Sequence, residues 1–237
     1  MKIIQIQKQS LIEYPGKISA VIFLAGCPLR CPWCYVPQLV LPERIQKLPE
    51  IPQEKVLAFL EERRGFLEGV AISGGEATIN PKLPDFVKKI KKMGYEIELE
   101  TNGTNPEMLE YLIKNKLIDY AAMDLKQRFV FEKWYKVTGE VLTREIFEKI
   151  KRSVGIILKN RIDYQFRTTL VKEFHKKEDI VEIAKEVRRA KIYYLQNYEK
   201  TEETVSGKQF TPFKEEEILD IARAAQRYAN VKVRRYL

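Results

Sequence analysis

Three cysteines fall within eight residues, Cys27-Pro-Leu-Arg-Cys31-Pro-Trp-Cys34, and the chain has no others. An iron–sulfur cluster ordinarily takes four thiolates, so three close ones with no fourth leave one iron free for a non-protein ligand. An iron with a free position can carry chemistry, whereas a fully ligated cluster mainly carries electrons. A disulfide framework fits poorly, because the count is odd and the chain has 237 residues. Structural zinc wants a fourth protein ligand, and the single histidine, His175, lies far along the chain among charged residues. Of these readings the open cluster accounts best for the spacing.

Four further groups could do chemistry. Ser73-Gly74-Gly75-Glu76 offers backbone that a ligand can approach closely, since no Cβ intervenes, and a carboxylate able to accept from an ammonium group. Glu100-Thr101-Asn102-Gly103 places an acid and a hydroxyl before an Asn-Gly pair that otherwise marks a turn. Asp124 and Lys126 stand two apart, so on a strand they face the same way and either grip one polar ligand or pair with each other. Arg167 lies in an otherwise apolar run, Tyr164-Gln-Phe-Arg-Thr-Thr-Leu170. A buried guanidinium needs a partner, and its planar fork suits a carboxylate.

These groups need elements to hold them together. Short β-branched runs alternate with longer helical patterns, which predicts repeated β-α units around a parallel sheet. Strands are expected at 20–25, 69–73, 96–100, 120–124, 164–170, 192–196 and 231–236, with an alternating segment at the N-terminus. Helices are expected at 52–63, from Pro81 to about Gly94, and at 106–115, 144–158, 178–190 and 214–229. Pro81 can open its helix because proline is tolerated at a first helical position. Six β-α units are too few for a closed eight-fold barrel, so the expected fold is α/β, a partial, open (β/α)6 barrel. One domain should span 1–237: an N-terminal strand extension at 1–19, the core at 20–230 and a C-terminal strand at 231–237. Parallel β-α sheets place function at the carboxyl ends of their strands, and every unusual residue group falls at such an end.

Composition narrows the function classes. No apolar run approaches the ~20 residues that span a bilayer, and the opening residues alternate rather than forming a signal peptide's continuous apolar core. A cytoplasmic protein without a membrane partner is expected, which suits unpaired thiols. The net charge is +9 with 32% charged residues. Runs such as Lys88-Lys89-Ile90-Lys91-Lys92 read first as solvated helix faces and only second as a nucleic-acid surface.

The cysteine spacing, with Trp33 before the third cysteine, resembles the radical S-adenosylmethionine (radical SAM) superfamily. Ser10-Leu-Ile-Glu-Tyr14-Pro15-Gly16-Lys17 and Phe23-Leu-Ala-Gly-Cys27 are similar to the opening of the activases of glycyl-radical enzymes, above all those of anaerobic ribonucleotide reductase. The resemblance implies the same partial barrel, with Cys27, Cys31 and Cys34 holding a [4Fe–4S] cluster whose fourth iron binds SAM. It implies Gly74, Gly75 and Glu76 at the SAM amino group, Arg167 at its carboxylate, and Glu100, Asp124 and Lys126 around the ribose. Trp33, Thr101 and Gln196 complete the cofactor set. No side chain is expected to act as a catalytic acid or base, because cluster and SAM carry the radical chemistry. The implied activity is reductive cleavage of SAM to a 5′-deoxyadenosyl radical that takes hydrogen from a glycine of a partner enzyme, with ferredoxin or flavodoxin as electron donor. Two positions depart from the pattern: Tyr35-Val36-Pro37 replaces a His-Asn-Pro common after the third cysteine, and Gln196-Asn197 replaces a histidine on the sixth strand. These departures and the basic charge keep a second reading open, a radical SAM enzyme acting on transfer RNA or a peptide.

Overall fold

The computed structural model describes residues 1–159 and 162–234. One eight-stranded sheet runs in sequence order: β1 (Ile3–Ser10), β2 (Ser19–Leu24), β3 (Gly69–Gly74), β4 (Glu96–Thr101), β5 (Tyr120–Asp124), β6 (Asp163–Leu170), β7 (Tyr193–Asn197) and β8 (Val231–Arg234). β1 pairs antiparallel with β2, and every later pair is parallel. The last three residues of the expected C-terminal strand lie outside the described residues.

Helices bridge each parallel pair, as β-α units require. Two single-turn helices, α1 (Pro37–Val40) and α2 (Pro42–Ile45), and then α3 (Gln53–Glu62) lead from β2 to β3. A 3₁₀ turn at Ala77–Ile79 and α4 (Leu83–Lys92) lead to β4, and α5 (Pro106–Lys114) leads to β5. The β5–β6 connection holds α7 (Arg144–Lys159) and also α6 (Phe131–Val137), which its length alone does not announce; the fully buried Trp134 anchors it. α8 (Lys177–Glu186) and α9 (Glu215–Ala225) complete the ring, each shorter at its carboxyl end than its pattern suggests.

The layers follow from strand alternation. Val70 and Ile72, Ile97 and Leu99, Ala121 and Met123, and Phe166 are buried on one face, which meets the apolar stripes of the helices. On α4 that stripe is Leu83, Phe86, Val87 and Ile90, the spacing of one helix face. The other face carries Ser73, then Glu96, Glu98 and Glu100, then Tyr120 and Asp124, then Gln165 and Arg167. A closed barrel fills its interior with apolar layers. This interior is polar.

Among the described residues the edge strands β1 and β8 do not pair, so the barrel stays open, and one side chain spans the gap. Arg234 of β8 donates to the Ile12 carbonyl in the β1–β2 connection, and its guanidinium stands 3.9 Å from Glu13. The same connection closes the barrel floor: the buried Tyr14 lies against Gly69, where a Cβ would come within 2.7 Å of its ring, and Lys17 pairs with Glu96 at 2.7 Å. No described helix is long and apolar enough to cross a membrane.

Candidate active site

The cysteine loop leaves the carboxyl end of β2. Gly26 starts it with φ +100, a left-handed conformation that costs glycine little. Arg30 pins the loop by donating to the carbonyls of Cys27 (2.6 Å) and Leu29 (2.8 Å). Its own backbone N–H donates to Thr138 after α6 (2.9 Å). The second half is held by residues 198–213, a strap from β7 that crosses back over the barrel. There Val205 donates to the Cys34 carbonyl (2.9 Å) and Ser206 to the Pro32 carbonyl (3.2 Å). Trp33 is buried against Phe174, centroids 5.0 Å apart, and against His175. His175 bonds the Lys126 carbonyl at 2.8 Å, and burial pushes its pKa down. The single histidine is therefore part of the packing behind the loop.

Cys31 is buried and its two partners are half-buried. Burial pushes all three thiols up, Cys31 to about 11. Cys31 and Cys34 add to the rise at Cys27, while Lys126 opposes it at Cys31. A metal must displace these protons, so its binding strengthens as pH rises. Among the described residues no three His, Cys, Asp or Glu side chains converge on a single ion. A cluster ties each thiolate to a different iron, so its ligands stand farther apart than those of one ion. Three soft donors spread along one pinned loop fit that requirement.

Beside the loop, Gly74 and Gly75 permit contact between backbones. A Cβ on Gly74 would stand 2.2 Å from the Leu24 carbonyl oxygen, and one on Gly75 2.1 Å from that of Gly26. Gly75 N–H donates to Leu24 (2.9 Å) and Glu76 N–H to Gly26 (2.7 Å), stitching β3 to the cysteine loop. The buried Glu76 carboxylate accepts from the backbone N–H and hydroxyl of Thr78, the Thr101 hydroxyl (2.8 Å) and the Asn102 N–H (2.6 Å). Three of these bonds fall on one oxygen, so only the other retains spare acceptor capacity.

A chain of charge crosses the strand ends. Ser73 donates to Glu100, Arg167 donates to Glu100 (2.6 Å) and to Asp124 (3.0 Å), and Lys126 donates to Asp124 (2.9 Å). Burial raises the Asp124 pKa, but Lys126 and Arg167 outweigh it and hold the carboxyl down at about 2. The two cations are pushed up by the same pairs against the opposing effect of burial. The arginine's partners are thus two carboxylates of the protein itself. Thr101, adjacent to Glu100, points instead to Glu76, as alternation dictates. Gln196 pairs with Thr169 at 2.8 Å, and Asn197 pins the strap at Phe213.

Sequence reasoning missed the floor of this chamber. Glu98 is fully buried one step below Glu100, and neither its carboxylate oxygens nor the Gln165 amide nitrogen makes a hydrogen bond among the described residues. Burial pushes the Glu98 pKa well up, Glu100 adds to the rise, and Arg167 opposes it. Glu13 rises likewise through burial and Glu100. The signal was present in Glu96-Ile-Glu98-Leu-Glu100, three acids on one face of a strand.

Residues 21–187 match the Radical SAM superfamily. A protein of Methanocaldococcus jannaschii, provisionally named a glycyl-radical enzyme activating enzyme, is 36% identical over 95% of this chain and 92% of its own length. The 7-carboxy-7-deazaguanine synthase of Aquifex aeolicus is 30% identical over 60% of this chain and 68% of its own. The pyruvate formate-lyase-activating enzyme of Clostridium pasteurianum is 30% identical over 59% and 58%. Among solved structures, Streptococcus suis SuiB bound to S-adenosylmethionine shares the fold, with a TM-score of 0.63 at 16% identity over 90% of this chain and 51% of that one. The chain belongs to the radical SAM superfamily, and within it to the glycyl-radical enzyme activating enzymes, which work with a [4Fe–4S] cluster and S-adenosylmethionine.

Proposed function

We propose that this enzyme installs a glycyl radical on an anaerobic ribonucleotide reductase. The observation that carries the site assignment is the meeting of the cysteine loop with the polar chamber: Gly74 to Glu76 are bonded to the loop, and Lys126 stands close enough to Cys31 for each to shift the other's pKa. Cys27, Cys31 and Cys34 would hold the cluster. Gly74, Gly75 and the spare oxygen of Glu76 would receive the SAM amino group, and Arg167, Glu100, Asp124 and Lys126 its carboxylate and ribose. Trp33, Thr101 and Gln196 would act from behind, by packing and by hydrogen bonds to this set. When bound, the reduced cluster supplies the single electron that splits SAM. The side chains orient the cofactor and exclude water; none is required to move a proton.

The partner assignment rests on the resemblance of the opening segment. Tyr14 and Lys17 of that segment build the barrel floor, so they support kinship rather than contact with the partner. A glycine must come within about 3–4 Å of the reactive carbon, which requires a loop of the partner to enter the barrel mouth. Tyr35, next to the third cysteine, is exposed and would be open to such a loop, and the +9 charge favours an acidic partner surface. A ferredoxin or flavodoxin would deliver the electron.

The test is incubation of the reduced, reconstituted enzyme and SAM with the reductase from the same organism, read by electron paramagnetic resonance for a glycyl radical. Active SAM cleavage with no glycyl signal would move the assignment to RNA or peptide modification.

A further inference from the structure

Asn102 has a role that its place in an Asn-Gly turn conceals. Its carboxamide nitrogen stands 3.5 Å from the Cys27 sulfur, as a hydrogen-bond donor. The orientation of the amide is fixed by its other end, where Oδ1 accepts from both the backbone N–H (3.1 Å) and the hydroxyl (2.7 Å) of Thr104. A flipped amide would oppose donor to donor there, so the nitrogen must face the sulfur.

The turn around this amide is constrained on every side. Asn102 N–H donates to Glu76 at 2.6 Å, and Gly103 N–H to the Thr101 hydroxyl at 3.0 Å. Ser153 of α7 donates to the Gly103 carbonyl at 2.7 Å. Gly103 has φ +78, and a Cβ there would stand 2.2 Å from the Met123 methyl. Asn102 itself is buried. A turn that only reversed the chain would need none of these contacts to aim a side chain at a cysteine 75 residues away.

We propose that Asn102 is a positioning residue that sets the reduction potential, its amide donating to the Cys27 sulfur and raising the potential of the cluster bound there. This rests on the assignment of Cys27 as a cluster ligand. Hydrogen bonds to cluster sulfurs are among the factors that set potential. The reduced cluster carries one more negative charge than the oxidised one, so a donor on sulfur stabilises the reduced state more. The donor makes the cluster easier for a protein electron carrier to reduce.

The experiment is an anaerobic redox titration of the reconstituted full chain, followed by electron paramagnetic resonance, for the wild type, Asn102→Ala and Asn102→Asp. Asn102→Asp keeps the acceptor for Thr104 and replaces the donor with a second oxygen. The reduced-to-oxidised ratio at a fixed poise should fall about three- to tenfold in Asn102→Ala, where tenfold corresponds to 59 mV for one electron, and further in Asn102→Asp. A role confined to the turn predicts the reverse order, with Asn102→Asp near the wild type. Absence of iron in the wild type would defeat the cluster assignment; full iron loading with unchanged potentials in the variants would defeat this inference alone. Should both variants fail to load iron, Asn102→Ser, whose hydroxyl can still accept from the Thr104 N–H but is too short to reach the sulfur, decides the matter: an unchanged potential there overturns the proposal and a lower one supports it.

Discussion

Arg167 on β6 reaches across β5 to Glu100 on β4, donating from Nη1 to Oε1 at 2.6 Å while its Nε holds Asp124 on the strand between. One guanidinium thereby joins three neighbouring strands at the end where chemistry is expected. Its planar fork offers donors in two directions, which a lysine ammonium cannot reproduce.

Arg167→Ala should destabilise the protein by about 3 kcal/mol, the scale for leaving a buried carboxylate without its cation. Glu100 suffers most, since Asp124 keeps Lys126. Arg167→Lys should recover only part of the loss. Urea denaturation of the apo-protein measures both, and a loss below about 0.5 kcal/mol in the alanine variant would show that the chamber tolerates the unpaired acid. Asp124 sets a separate acid limit. Its folded pKa lies below the unfolded value, so its contribution is present above about 4 and disappears as pH falls through about 2.

Glu98→Gln should stabilise the protein at neutral and alkaline pH. The folded pKa of Glu98 is raised by burial and Glu100, so the folded state holds a proton that the unfolded chain releases near its ordinary value. Over that interval each pH unit costs the wild type about 1.4 kcal/mol, a cost the amide does not incur. Glu13, Glu100, Arg167 and Arg234 face this interior and are unchanged in the variant. Thermal midpoints of the two proteins should coincide near pH 4 and separate as pH rises. Parallel midpoints across that range would mean that Glu98 is ionised in the fold.

Cys31→Ala should abolish cluster loading, whereas wild type reconstituted without oxygen should bind about four irons per chain. The apo-fold should survive, because the barrel forms without those thiols. Iron analysis with circular dichroism separates the two effects. Stoichiometric zinc in the isolated wild type, with no cluster after reconstitution, would refute the assignment.

Gly75→Ala and Gly155→Ala should act in opposite directions. A methyl at Gly75 would stand 2.1 Å from a backbone oxygen of the cysteine loop. The loop must move, and both stability and iron loading should drop. A methyl at Gly155 in α7 meets nothing within 4 Å, so the substitution should stabilise by about 0.5–1 kcal/mol. Equal melting temperatures for the two variants would contradict the close approach at Gly75.

The sequence by itself determined what depends on local spacing. The cysteine triplet, the alternation of strands and helices, and the position of each polar group at a strand end are properties of short segments. Cys31 and Cys34 share one loop whatever the rest of the chain does, and Leu83, Phe86, Val87 and Ile90 define a helix face in any context. Contacts made through space were decided by the tertiary structure. Asn102 reads as a turn residue until β4 lies near β2 and its amide meets Cys27. Glu76 reads as a carboxylate with both oxygens free until Thr78, Thr101 and Asn102 converge on it and leave spare capacity on one oxygen alone. Tyr14 reads only as part of the opening segment that resembles the activases until curling of the sheet makes it the floor. The strap at 198–213 has no periodicity to reveal it, because its order comes from backbone bonds to Pro32 and Cys34. Spacing along the chain fixes which residues share an element. Only the curvature of the sheet, set by strand twist and by helices packed on its outer face, fixes which elements share a chamber.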